Sequence, residues 1–470
     1  MSFLQSFSAR GFAKLGRPGR VPWSNKSGCQ AAAGLALAVM VSFVPFAWSG
    51  PIYQATGRES LQLPQGIEEF ERAAASFKQR DYERCFALLE AGAKKRPELP
   101  PARVFLGKMF LADNQVARGR SVLEQAAVEY PQRPEIYVIF GKLALHEGRL
   151  TEAWVVMERA EDLAKTFPWS RSQGAELRKD LYAAMAIVAE RRGDPAAAGR
   201  ALSGWLALDP GDGAARRRLG QALFRQGKRA DAVKELEQAA RDQAGMEPAA
   251  ITLGQLYSEA KDPARAAQLM AKAVEEEPRN RKARLAYAHW LLEQDQPDKA
   301  RVQAESALEL DPAAAESRLL LGVIQWHLHE YEKAEKILQR LHQESPGSFE
   351  ASNYLALALA EQPGETRQRQ ALELAEINAR LYPNSSEALE TIGRVYYRLG
   401  RLDEAEKALR AAVATGKSSL DGGFWLARVL FELGRGDESG KLLQLALASP
   451  GPFAFRKQAQ DLFNRVSKKP

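Results

Sequence analysis

Small side chains recur in this chain with a period of 34 residues, and that recurrence limits what it can fold into. Ala73, Gly107 and Gly141 are 34 apart. After a step of 45, Ala186, Gly220, Gly254, Ala288, Gly322 and Ala356 again follow at 34. One step of 37 leads to Gly393 and one of 34 to Ala427. A second set stands twelve residues after the first, or fifteen in the ninth unit: Cys85, Gly119, Ala153, Ala198, Ala232, Ala266, Ala300, Ala334, Ala371, Ala405 and Ser439. Small residues at two fixed phases of a 34-residue period mark an array of helical pairs, because closely crossed helices admit only small side chains at the crossing point.

The stretch Ser386 to Ala414 shows the unit in full. Leu389, Ile392, Gly393, Tyr396 and Tyr397, then Ala405, Leu409 and Ala412, fall at helical spacing. Gly400 lies between the two runs, where a helix end favours a left-handed backbone. Neither helix can bury its apolar stripe alone, so each unit needs neighbours like itself. Leu236, Met270, Leu338, Leu409 and Leu443 stand four residues after the second marker, as ridges beside the small positions. Pro97, Pro131, Pro210, Pro278, Pro312, Pro346 and Pro383 end second helices.

With these residues in register over about 66–451, the chain resembles the tetratricopeptide repeat proteins. It departs from their pattern in lacking most of the early aromatics and, in the third, fifth, tenth and eleventh units, the terminal proline. The resemblance implies an all-α fold: a right-handed α-solenoid of about eleven helical pairs. It also implies a concave groove, lined by the first helix of each pair, that binds peptides or partner proteins.

The first 58 residues differ from all that follow, since they contain no Asp or Glu. Arg10, Lys14, Arg17, Arg20 and Lys26 form a basic tail over 1–30, followed by the uncharged run Ala31 to Trp48. Eighteen helical residues span roughly 27 Å, close to the thickness of a bilayer's hydrocarbon core. The run therefore reads as a transmembrane signal-anchor over 31–48 or, with Ala47 and Ser49 as a small-x-small cleavage site, as a signal-peptide core. The basic flank places the N-terminus in the cytoplasm and the repeats outside it, on the periplasmic side. A mitochondrial transit segment is the alternative for a basic, acid-free start. Residues 49–65 read as a linker, and 452–470 as a capping helix and tail with Phe455, Ala459, Leu462, Phe463 and Val466 on one face.

The net charge of +7 does not indicate nucleic acid. Five of the 66 basic residues precede the apolar run, leaving 61 against 59 acids. A nearly neutral array gives no support to phosphate binding. The five histidines show no metal-ligand spacing, and Cys29 and Cys85 would lie on opposite sides of a membrane. With no phosphate-binding glycine loop, no nucleophile elbow and no stretch outside the repeats large enough for an enzyme domain, the chain reads as a non-enzyme without cofactor or metal.

Binding is what remains. By the resemblance, the residue after each first marker faces the groove: Lys108, Lys142, Gln221, Gln255, His289, Arg394 and Arg428. Further along stand Phe224, Trp326, Tyr397 and Phe431. The candidate groove residues are thus Lys108, Lys142, Phe224, Trp326, Arg394, Tyr397, Arg428 and Phe431. Aromatic patches with cations near both ends suit an extended peptide of partly acidic character. Asn353 alone resembles the asparagines with which the family clamps a chaperone C-terminus. Two insertions, Lys165 to Arg178 with Trp169 and the loop Gln362 to Arg369, are secondary candidates for partner contact. The expectation is a membrane-anchored or exported scaffold for an envelope assembly, secretion or polysaccharide-export system. A regulatory subunit of a glycan-processing complex and a mitochondrial adaptor are the alternatives.

Overall fold

The computed structural model describes residues 67–168, 171–243 and 246–467, all within one compact unit, Val39–Pro470. Among the described residues there are twenty-three helices and no strands. Pairs one to four are α1 Glu68–Lys78 with α2 Tyr82–Lys95, α3 Ala102–Ala112 with α4 Val116–Glu129, α5 Pro134–His146 with α6 Leu150–Thr166, and α7 Arg171–Arg191 with α8 Pro195–Leu208. Pairs five to eight are α9 Gly213–Arg225 with α10 Arg229–Asp242, α11 Ala249–Glu259 with α12 Pro263–Glu276, α13 Arg281–Glu293 with α14 Pro297–Leu310, and α15 Ala315–His327 with α16 Tyr331–Glu344. The last three are α17 Phe349–Ala360 with α18 Glu365–Leu381, α19 Ser386–Arg398 with α20 Leu402–Ala414, and α21 Leu420–Glu432 with α22 Gly436–Ala448. A single helix, α23 Arg456–Ser467, follows and packs on α22 and α21.

The small markers lie where the helices of a pair cross. A Cβ built on Gly107 would come within 2.6 Å of Leu123, on Gly220 within 2.6 Å of Leu236, on Gly254 within 2.7 Å of Met270 and on Gly393 within 2.6 Å of Leu409. In each case the obstacle is the large residue four positions after the second marker. The two periodic features of the sequence are thus the two halves of one contact: a gap in the first helix and the side chain that fills it.

The turn between the helices of a pair repeats as well. Gly148, Gly193, Gly227, Gly400 and Gly434 all have positive φ there, as a tight reversal after a helix requires. Arg80, Asn114, Lys261, Asp295 and His329 take the same left-handed conformation at the same phase, although they carry a Cβ. Successive pairs meet by helix contacts between second and first helices; between the third and fourth pairs, and from the fifth to the eleventh, first helices also touch first helices of the next pair. That extra contact brings the first helices together along one inner face.

Three details differ from the sequence reading. The eleven extra residues near 165–178 do not make a loop: they lengthen α6 to Thr166 and make α7 a 21-residue helix. Leu177 and Leu181 continue the apolar stripe of α7 toward its N-terminus, so extra helix finds a packing surface. Trp169 and the Ala31–Trp48 run lie outside the described residues. In the ninth pair α18 already starts at Glu365, and Gln362 is tied back by Nε2 donating to the Ala358 carbonyl at 3.0 Å and to Glu335 at 2.8 Å. Phe455 precedes α23 rather than sharing its face, with its carbonyl accepting the first helical bond from Ala459 N at 2.8 Å.

Candidate functional site

The inner face divides into two stretches with different occupants. Over pairs seven to eleven, the segment joining α22 to α23 leaves the outer helix and runs across the first helices. Gly451, at φ +126°, makes the bend. Phe453 and Phe455 are then buried, at 2% and 4% exposure. The Phe453 N–H donates to Asp295 Oδ1 at 3.4 Å, Arg456 Nε to Asp295 Oδ2 at 3.1 Å, and the Phe455 N–H to Asp421 Oδ1 at 3.1 Å. Asp295 follows α13, more than 150 residues earlier in the chain than its partners.

The Phe455 ring lands on an aromatic nest. Its centroid is 5.1 Å from Trp425, 5.2 Å from His329, 5.7 Å from Phe424 and 5.9 Å from Trp326. Inside the nest lies the Arg394 guanidinium, 4.5 Å from Phe455 and 4.8 Å from each of Trp326 and Trp425. A desolvated cation against ring faces is held by the rings' negative quadrupole. Arg394 also donates from Nε to Glu361 Oε1 at 2.8 Å, and Arg398 binds the same carboxylate. Burial by itself would raise Glu361, but the two arginines outweigh it and hold the carboxyl below its ordinary value. Burial pushes Asp421 up to about 7 despite Arg394 and the Phe455 N–H, and presses His327, beside His329 and Arg394, down to about 4. The indole N–H groups of Trp326 and Trp425 are buried and find no acceptor.

Of the sequence-predicted residues in this stretch, Trp326 and Arg394 form the floor of the nest. Tyr397 and Arg428 lie beside it: the Tyr397 hydroxyl donates to Glu432 at 2.5 Å and accepts from Arg428 Nε at 2.6 Å. Phe431 is half-buried under α23, with Arg465 5.2 Å from its ring. Sequence reasoning missed Asp295, Asp421 and the role of Phe453 and Phe455. The one available signal was two phenylalanines in a turn between helices, Pro452 to Arg456, where a solvated connection would be polar.

The other stretch is built on α3, α5 and α7. Lys108 and Lys142 project from equivalent positions of α3 and α5. Lys142 pairs with Asp180 of α7. Lys108 forms no ion pair among the described residues; burial holds its ammonium below the ordinary value, opposed by Glu135 and helped by Lys142. Glu135 is itself buried, with Oε1 receiving Arg133 at 3.3 Å and Oε2 unpartnered, and burial raises it. Phe224, expected to face the groove, is 5% exposed. It packs edge-on against Tyr257 at 4.9 Å, with Arg229 4.8 Å from its ring, so it joins pairs rather than offering a surface. Asn353 is likewise buried, at 4%.

Among the described residues no group of three or more His, Cys, Asp or Glu side chains is placed to hold a metal, and no helix is long and apolar enough to cross a membrane. The Cys85 thiol is buried at a packing position and pushed up to about 11 by desolvation.

Family models described as tetratricopeptide repeat match residues 189–256, 257–304 and 291–358, and a second such model matches 390–454. A model of anaphase-promoting complex, cyclosome, subunit 3 matches 327–412. No relative is found among curated proteins. Among solved structures, the chain is similar to the APC/C hetero-tetramer Cut9–Hcn1, at 14% identity over 88% of this chain and 98% of that one, TM-score 0.41. It is similar to yeast Tom70 at 13% identity over 85% and 95%, TM-score 0.36. It is also similar to a thermophilic tetratricopeptide repeat protein of Thermus thermophilus, at 24% identity over 40% and 97%, TM-score 0.34. The paired helices, the small-residue crossings and the matched segments agree: this chain carries tetratricopeptide repeats and folds as an α-solenoid.

Proposed function

We propose that the eleven helical pairs act together as a non-catalytic protein-interaction scaffold, holding extended segments of partner proteins along the inner face of the first helices. The observation that carries this reading is the contact of first helix with first helix, which gathers their side chains into one lining from the fifth pair to the eleventh. Beside it, on α3 and α5, Lys108 and Lys142 supply positive charge, and Lys108 has no ion pair among the described residues. A lysine held partly out of water without its own carboxylate gains most from a partner that brings one.

The scaffold is proposed to work outside the cytoplasm, anchored by or exported through residues 31–48, in an envelope assembly, secretion or polysaccharide-export system. Support comes from the acid-free basic start and the uncharged run behind it. In-cell crosslinking of the tagged full-length chain, with sequencing of the mature N-terminus, tests both parts. Envelope or secretion partners and either an intact N-terminus or one at Gly50 are expected; cytosolic partners, or cleavage well before Ala31, would overturn the location.

Replacing Lys108 and Lys142 together by Gln should reduce partner crosslinking at least tenfold while the helical circular dichroism stays unchanged. The ion pair lost with Lys142 is partly exposed and is worth only about 0–1 kcal/mol. Unchanged crosslinking by the folded variant would move the binding face elsewhere.

A further inference from the structure

We propose that the segment Gly451–Arg456 is a tethered occupant of a peptide site on pairs seven to eleven, and that this site takes extended partner segments of the form aromatic-x-aromatic followed by a base. The inference rests on the scaffold reading and names the ligand class and the control of one part of the groove.

Three observations carry it. First, the excursion is not needed to close the array. The helix α23 packs on α22 and α21, its nearest neighbours, and does the work of a cap. The segment before it instead reaches Asp295, four pairs back.

Second, the contacts are those of a bound peptide. Two backbone N–H groups, at Phe453 and Phe455, are read by Asp295 and Asp421, which any extended chain could satisfy. The specific element is the Phe455 ring over Arg394, with Arg456 on Asp295 behind it. Asp295 stands in the turn between α13 and α14, where its carboxylate reaches both Phe453 and Arg456.

Third, the site is only partly satisfied. The Trp326 and Trp425 indole N–H groups are buried beside Phe455 without an acceptor. A segment that brings a carbonyl or carboxylate to either indole pairs a buried donor that the tether leaves unpaired, and so binds more tightly than the tether. The tether's advantage is its high effective concentration, not its fit. The closed arrangement therefore yields to a partner of better chemistry, and not to a merely apolar one.

The test uses the full chain and a labelled synthetic peptide of residues 451–456, followed by anisotropy and by the emission of Trp326 and Trp425. The peptide should bind the unaltered chain weakly. It should bind Phe455→Ala at least tenfold more tightly, because the nest is emptied. It should bind Arg456→Ala about threefold more tightly, because the tether loses its contact with Asp295 while the site keeps that carboxylate for the peptide. A control peptide with alanine for the second phenylalanine should not bind. Phe455→Ala removes a buried ring, so if it does not fold, Arg456→Ala, at a partly exposed side chain, carries the test. Folded variants that bind the peptide no better than the unaltered chain, or that bind the control equally, would overturn the proposal. That failure would leave the crosslinking result at Lys108 and Lys142 intact, so the two readings are separable.

Discussion

The two stretches of the inner face place equivalent cations in opposite circumstances. Lys108 and Arg394 each follow the small marker of a first helix, in the second and tenth pairs. Arg394 is 2% exposed, ion-paired with Glu361 and enclosed by three aromatic rings. Lys108 is partly exposed, with no ion pair among the described residues. The repeat fixes where the side chain projects from. What the side chain then does depends on non-repeating residues around it: Glu361, Trp425 and the returning Phe455 in one place, Glu135 and Asp180 in the other.

The most disruptive way to break this comparison is at Arg394. Arg394→Met leaves the buried Glu361 with Arg398 alone and takes the cation from the nest. Removing one partner of a buried pair costs about 3–5 kcal/mol, so hydrogen exchange should show α19 and α21 losing protection by roughly that much. Helices α3 and α5 should be unaffected, since repeat arrays transmit destabilisation mainly to neighbours. Protection lost equally along the chain would mean that the two stretches are not separate units of stability.

A second pair of substitutions asks whether the stretches differ only on the inner face. Gly107→Val and Gly393→Val each force a side chain into a leucine 2.6 Å away. Overpacking of this kind costs about 1–3 kcal/mol, and the two losses in urea unfolding should agree within roughly 0.5 kcal/mol. A large inequality would show that the helix crossings themselves differ.

The smallest effect concerns Glu293, at the end of α13 and two residues before Asp295. Burial without a compensating cation pushes its carboxyl up to about 7. The native state thus holds this proton more strongly than the unfolded chain, whose glutamate titrates near its ordinary value. The favourable contribution is complete at low pH and is lost as pH rises from about 4.5 through 7. Glu293→Gln should remove that slope, giving a gain of roughly 1 kcal/mol at pH 8 and none at pH 4. Parallel stability–pH curves for the two proteins would show that Glu293 is not desolvated.

Much of this was legible in the sequence. The spacing from Gly107 to Leu123, repeated through Gly393 and Leu409, encodes a local contact between adjacent helices. The recurrence of the same spacing down the chain implies the array. Trp326, Arg394, Tyr397 and Arg428 were also legible as neighbours, because the repeat carries the same phase to the same face. Phase says where a helix residue starts, while Tyr257 and Arg229 decide how the Phe224 ring is covered, and that burial was not legible in the sequence. The insertion at 165–178 reads as a loop in sequence because a break in period and a proline look alike whether helix or coil follows.

The sequence by itself determined the helical pairs, their turns and the face on which the first helices meet. These rest on contacts between residues within a few tens of positions, which a 34-residue period repeats and therefore displays. The tertiary structure alone decided that one stretch of that face is filled by the chain's own Phe453 and Phe455. Asp295 and Arg456 belong to no common period and are separated by most of the length of five repeats. Only the stacking of those repeats brings a carboxylate and a guanidinium so far apart in sequence to 3.1 Å.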